Sequence, residues 1–189
     1  GSEDLSWIQH PDFCLKAYQM YAGSLYCNND FETMKKTLDI IFKYAASKEG
    51  RVTAYSTLVE AYCARDQFRE AFDTAFTALN EFGVSFPRKP GQATVIFELI
   101  KTKQFMKKYP IKRLHDLPKM NDPSLEILLK MLVRLTPHAY LESVYLPLIT
   151  FLLVKFSCLH GVCSSTPPAF AIYGLILAGA LGDLKGGYD

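Results

Sequence analysis

The chain carries almost no β signal. Strict alternation of apolar and polar residues is absent, and valine is scarce beside leucine, alanine, phenylalanine and lysine. A half-buried sheet is therefore excluded as its organising element. Marks of the common catalytic sites are missing too. There is no glycine-rich phosphate loop ending in Lys and Ser or Thr, and no His-Glu-x-x-His pair. His10, His115 and His138 are scattered, and order alone assembles no Ser-His-Asp set. No signal peptide is visible. The five cysteines, Cys14, Cys27, Cys63, Cys158 and Cys163, are odd in number and lack a framework spacing. They read as small core thiols in a reducing, cytoplasmic setting. A net charge of +2 on 189 residues argues neither for nor against an acidic partner.

One Cys/His cluster exists, "CLHGVC" from Cys158 to Cys163. A metal site wants about four ligands in near-tetrahedral geometry. Three are local here, with Gly161 between them at a helix end, so the cluster reads as structural. We expect no metal, no cofactor and no catalysis from the chain itself.

What the sequence does hold is the 3.6-residue period. Phe31, Met34, Leu38, Ile41, Phe42 and Ala45 fall on one face. Phe68, Ala71, Phe72, Ala75, Phe76 and Leu79 do the same. The fold class is all-α, with about eight helices. The first opens at Pro11 and ends near Asn28 or Asn29. Others run from Phe31 to Ser47, from about Glu49 to Arg65 with Gly50 as a weak interruption, and from Gln67 to Phe82. Gly83 stops the last of these in a left-handed conformation. A fifth spans Ala93 to Lys108, followed by a long connector from Tyr109 to Asn121. Asp122-Pro123 caps and opens a sixth, ending near Thr136-Pro137. A seventh covers about His138 to His160, bent at Pro147 and ended by Gly161. Ser165 or Thr166 caps an eighth that reaches about Gly182, and "GDLKGGYD" follows as a turn. Gly1-Ser2 reads as the scar of a cleaved tag, leaving residues 3–189 as a single helical domain cut from a larger protein.

Two stretches repeat one another. "YCNNDFETMKKTLDIIFKYA" begins at Tyr26, and "AYCARDQFREAFDTAFTAL" at Ala61, about 36 residues on. Helix pairs recurring at this period mark an α-solenoid. The tetratricopeptide grammar is met in part by Tyr55, Leu58, Val59 and Tyr62, then Phe68, Ala71, Ala75 and Ala78. The upstream copy gives Gln19, Ala22, Gly23 and Tyr26, then Phe31, Met34, Leu38 and Ile41. Small residues let paired helices approach, and large ones fill the gap to the next pair. We therefore expect a tetratricopeptide-like solenoid of antiparallel pairs, its last repeat truncated. Phe170, Tyr173, Leu177 and Leu181 would then stand partly uncovered and could drive dimerisation. An irregular helical bundle is the alternative.

Charge is unevenly spread. Arg88 to Lys119 holds nine basic residues against Glu98 and Asp116, so this stretch carries +7 in a chain of +2. Phe97, Phe105 and Tyr109 are interleaved. Such a segment suits an acidic protein surface ahead of nucleic acid, and a solvated helix face ahead of either. In that last case Phe97, Ile100, Gln104, Phe105 and Lys108 form the buried stripe. The apolar runs Val144–Val154 and Phe156–Gly182 fall short of a clean span of about 20 residues. They fit a helix sandwiched in a core, which argues against membrane insertion.

Several fragments in order resemble a known family. They are "ALNEFGVSFP" from Ala78, "LHDLPKMNDP" from Leu114, "LHG" from Leu159, "AFAIYG" from Ala169 and "GGY" from Gly186. The set is similar to the helical-repeat region of large multidomain signalling kinases that carry a STAND-type ATPase. It departs from that pattern at Pro137, before His138-Ala139-Tyr140, and at Cys163, where serine is commoner. The resemblance implies a regulatory middle region, with kinase and ATPase chemistry elsewhere in the parent protein. It implies a protein partner or a small-molecule inducer acting on the repeats. The expected function is a non-catalytic interaction module; the alternatives are an inducer sensor and, behind it, a nucleic-acid-binding solenoid. Candidate contacts are Gln19, Tyr55 and Arg65, with Lys101, Lys107, Lys108, Lys112 and Arg113 from the basic segment.

Overall fold

The computed structural model describes residues 2–87, 89–110, 114, 116–139 and 144–186. Among them every named element is a helix, with one isolated bridge and no strand. The described residues form nine helices: α1 (Ser2–Gln9), α2 (Pro11–Cys27), α3 (Phe31–Tyr44), α4 (Lys48–Ala64), α5 (Phe68–Asn80), α6 (Gln92–Met106), α7 (Pro123–Ala139), α8 (Tyr145–His160) and α9 (Thr166–Gly186). The chain divides into two compact units, Gly1–Phe86 and Pro87–Asp189.

In the first unit, α2 packs along α3 and α4 along α5, while α3 and α2 also touch α4. The link from α2 to α3 is a full Schellman turn. Asn29 takes φ 56°, its N–H donates to Tyr26 O, and Asp30 N–H donates to Leu25 O. The link from α4 to α5 is built identically. Asp66 takes φ 57°, its N–H donates to Cys63 O, and Gln67 N–H donates to Tyr62 O. Asn and Asp are the non-glycine residues that tolerate this left-handed region best. The two turns stand 37 residues apart, which corrects the first-helix alignment by one residue. Tyr62 corresponds to Leu25 rather than to Tyr26, and Tyr55 to Tyr18 rather than to Gln19. At the turn itself burial agrees with this register: Leu25 and Tyr62 are buried, whereas Tyr26 is exposed. On the second helices the expected pairing holds, with Met34, Leu38 and Ile41 buried like Ala71, Ala75 and Ala78. Burying each of the larger three contributes about 1.5–3 kcal/mol.

Local chemistry sets the other ends. Asp30 Oδ1 accepts from Thr33 N–H at 3.2 Å, and Ser47 Oγ from Gly50 N–H at 3.1 Å. Gly50 lies inside the first turn of α4 and is buried, not an interruption. A Cβ there would meet Leu15 Cδ2 of α2 at 2.7 Å and the capping Ser47 Oγ at 2.9 Å, so a larger residue would have to displace both side chains. Gly83 takes φ 70° and closes α5 in a third turn of the same type, with Val84 N–H donating to Leu79 O. The unexpected α1 is held by Trp7, which stacks on Tyr44 at 5.7 Å and leans on Tyr18 at 5.4 Å.

In the second unit, α8 is the centre and packs against α6, α7 and α9. Ten of its sixteen residues are buried, as a sandwiched helix requires. Asp122 caps α7 as expected, accepting from Leu125 N–H at 3.1 Å. The α7–α8 boundary differs from expectation. His138 belongs to α7, which runs through Pro137 to Ala139. Proline at 137 deprives the Val133 carbonyl of its usual amide donor. The Thr136 hydroxyl takes that place at 2.7 Å. Pro147 falls in the first turn of α8, where a missing N–H costs no helical bond, so it bends nothing. Gly161 ends α8 at φ 104°, and α9 continues to Gly186 instead of turning at Gly182. The connector before α7 lies against this end. Val162 N–H donates to Pro118 O at 2.8 Å, and Met120 N–H to Val162 O at 2.9 Å. Tyr173 is buried against Phe151, while Phe170 and Leu177 are half-buried and Leu175 is exposed. Leu181 and Tyr188 lie outside the described side chains. Among the described residues no helix is long and apolar enough to cross a membrane.

Candidate partner-binding surface

The candidate residues are scattered rather than gathered. Arg65 sits at the C-terminal end of α4, exposed, with its guanidinium 4.9 Å from the centre of the Phe31 ring. Phe31 in turn leans on Tyr62 at 5.4 Å. Together Arg65, Phe31, Tyr26, Asn29, Met34 and Ala61 line an open cavity of about 290 Å³ beside the two Schellman turns. Met34 and Ala61 give it a buried apolar floor, and Arg65 supplies the one charge in its lining. Arg65 has no acidic partner among the described residues. A cavity of this size fits a side chain better than a drug-sized molecule, which needs roughly 300–1,000 Å³.

Tyr55 does different work. It is half-buried, with its ring 4.4 Å from that of Phe42. Burial pushes its phenol above the usual range, the Glu81 carboxylate adds to the rise, and Arg51 opposes it. Arg51 is the neighbour that sequence reading missed. Its Nε and Nη2 donate to the two Glu81 oxygens at 3.1 and 2.8 Å, and its Nη1 to Ala45 O and Ala46 O at 2.8 and 3.1 Å. This fork clasps the α3–α4 link to the end of α5, and the hydrogen bond to Glu81 raises the guanidinium pKa further. Tyr55 is thus part of the packing beside a structural clasp. Gln19 is half-buried on α2 and does not line the Arg65 cavity. The structure therefore does not gather Gln19, Tyr55 and Arg65 into one site.

Lys101 and Lys103 of the basic segment lie on α6. Here the expected buried stripe is overturned. Phe97 and Ile100 are 57% and 59% exposed, Gln104 and Lys108 are exposed, and Phe105 is half-buried. The face turned to α8 is Val95, Leu99, Thr102 and Met106, at the same helical spacing, with Thr102 fully buried. Thr102 satisfies its hydroxyl on Glu98 O at 2.7 Å. The Cys158 thiol points at Met106 Sδ, 3.8 Å away, and burial pushes its pKa up to about 11. Glu98 receives Lys155 at 3.0 Å and Lys101 at 3.3 Å. Burial alone would raise its pKa, but the two ammonium groups outweigh that and hold it below the usual range. Lys101 also lies 4.2 Å over the Phe97 ring. Lys103, Lys107 and Lys108 are exposed and have no acidic partner among the described residues. Lys112 and Arg113 lie outside the described residues. Among those described, no group of three or more His, Cys, Asp and Glu side chains is placed to hold a metal ion.

Nothing matches this chain. Comparison with protein-family models, with curated proteins and with solved structures gives no match in any of the three. The surface has to be read from its own chemistry.

Proposed function

We propose that the chain is a tetratricopeptide-like solenoid of antiparallel helix pairs, with its last repeat truncated. It acts as a non-catalytic interaction and regulatory module of a multidomain signalling ATPase or kinase in the cytoplasm. The observation that carries the reading is the repeated Schellman turn, 37 residues apart, with equivalent positions buried on either side of it. Stacked helix pairs present side chains along an extended surface, and such surfaces take peptides and helices. Arg65 in its cavity, with Lys103 of α6 and Lys107 and Lys108 just beyond it, offers exposed positive charge to a protein partner.

The test is affinity capture from source-cell lysate, with and without nuclease, read by mass spectrometry. Nuclease-resistant recovery of ATPase or kinase chains is the expected result. Recovery that vanishes with nuclease would overturn the reading in favour of nucleic acid.

A second reading, a small-molecule inducer sensor, has one observation in its favour. An open groove of about 510 Å³ is lined by Thr136, Pro137, Leu146, Ile172, Leu175 and Ile176. Its lining carries no charge, so an inducer bound there would be apolar. Thermal stabilisation by such a compound, lost in Leu175→Asp, would establish it.

A further inference from the structure

The exposed side of α6 is ordered along the helix axis. One row runs Ile96, Ile100, Lys103 and on to Lys107 at the C-cap; its neighbour runs Phe97, Lys101, Gln104 and on to Lys108 in the turn that follows. Both rows are apolar at the N-terminal end and basic at the C-terminal end. Ile96, Phe97 and Ile100 are each more than half exposed. Lys107 lies two turns beyond Ile100 on the same row, about 10 Å along the axis at 1.5 Å per residue. Complementing the helix dipole accounts for a lysine in the last turn. It does not account for three large apolar side chains left open at the other end.

We propose that this face of α6 docks a protein segment with two apolar side chains one helical turn apart and an acidic cluster about 10 Å farther along. The inference rests on the interaction-module reading and names the partner's chemistry. Charge complementarity supports it: Arg88–Lys119 carries +7, and its Glu98 is already engaged by Lys101 and Lys155. The axial order argues against a lipid surface. A helix lying in a bilayer interface buries one face and lifts its lysines on the other. Here Lys107 shares its row with Ile96 and Ile100, so burying the isoleucines would bury the lysine. It argues against nucleic acid as well, since phosphates would engage the lysines and leave the isoleucines in water.

The experiment is fluorescence anisotropy of the whole chain with three labelled helical peptides. One carries two leucines four residues apart and three glutamates two turns beyond; it is made in both chain directions. The second replaces the leucines by serine, and the third replaces the glutamates by glutamine. The complete peptide should bind at least about tenfold more tightly than either control, in one direction or both. Ile100→Ser and the pair Lys107→Glu, Lys108→Glu should each remove most of that gain. Ile100 is exposed, so its substitution leaves the fold intact, and circular dichroism checks this. Equal binding of the serine control would overturn the proposal, as would unchanged affinity in the Ile100→Ser protein. So would phosphatidylserine vesicles or a duplex DNA that bind α6 and displace no peptide. Repeating the lysate capture with Ile100→Ser, Lys107→Glu and Lys108→Glu combined in one triple variant separates the two readings. A partner retained by that variant removes α6 from the interface and leaves the module reading standing. Peptide binding with no nuclease-resistant partner does the reverse.

Discussion

Replacing Gly161 by alanine tests the end of α8 with three strains at once. Gly161 sits at φ 104° and ψ 172°, a region that side-chain-bearing residues essentially do not occupy. Holding alanine there costs about 1–3 kcal/mol. The new Cβ would also lie 2.5 Å from Pro118 O, 2.9 Å from Met120 N and 3.0 Å from Lys119 C. These are backbone atoms, so the connector itself must move. Moving it breaks the two bonds to Val162, each contributing about 0.5–1.5 kcal/mol. The sum is a destabilisation of about 2–6 kcal/mol. Two other glycines act as internal controls. Gly83→Ala meets nothing within 4 Å but keeps φ 70°, so it should cost about 1–2 kcal/mol. Gly174→Ala lies mid-helix with open space around it and should stabilise by about 0.5–1 kcal/mol. Urea denaturation followed at 222 nm gives all three values under one protocol. A Gly161→Ala protein within about 0.5 kcal/mol of wild type would refute the argument, because neither the backbone conformation nor the close approach could then be real.

Three further outcomes are expected. Asn29→Val and Asp66→Val should each destabilise by about 1–2 kcal/mol, and by similar amounts, because both residues hold the same left-handed turn; a large effect at one and none at the other would break the equivalence of the turns. Glu98 has a folded pKa below its unfolded value, so its ion pairs contribute stability that is present above the unfolded pKa of about 4.3 and lost as pH falls through the lower folded value. Acid titration of Lys155→Met should therefore show less loss in that window than the wild-type chain, and an identical profile would mean Glu98 is not held by Lys155. Iodoacetamide at pH 8 should modify exposed Cys27 first and buried Cys158, with its raised pKa, only after unfolding; mass mapping of the alkylated sites decides this.

Helix ends written in local chemistry were legible from the sequence. Asp122, Gly83 and Gly161 act within a turn of their own backbone, so residue type alone announces them. The register of the repeat was less so. Tyr26 and Tyr62 look equivalent as letters, but the carbonyl that closes each turn belongs to Leu25 and Tyr62, and that depends on where the left-handed residue falls. Pro137 read as a terminator because the stand-in donor, the Thr136 hydroxyl, leaves no periodic trace. On α6 the stripe through Phe97 and Ile100 and the stripe through Leu99 and Thr102 share the same spacing. Periodicity cannot choose between them; only the position of α8 does. Among the candidate contacts, Arg65 was found through its place in the repeat and lies in a cavity. Tyr55 holds the like place in its helix but packs on Phe42, beside an Arg51–Glu81 pair that joins residues thirty apart in the chain.

The central place of α8 sets an order of events during synthesis. Ten of its residues depend on α6, α7 and α9 for cover, and α9 is made last. Until α9 leaves the ribosome, the run from Leu148 to Val154 has neighbours on only some of its sides. The N-terminal helix pairs, joined by three-residue links, can close as they emerge. The second unit has to wait, and during that wait α8 is the stretch of chain most open to aggregation and to chaperones.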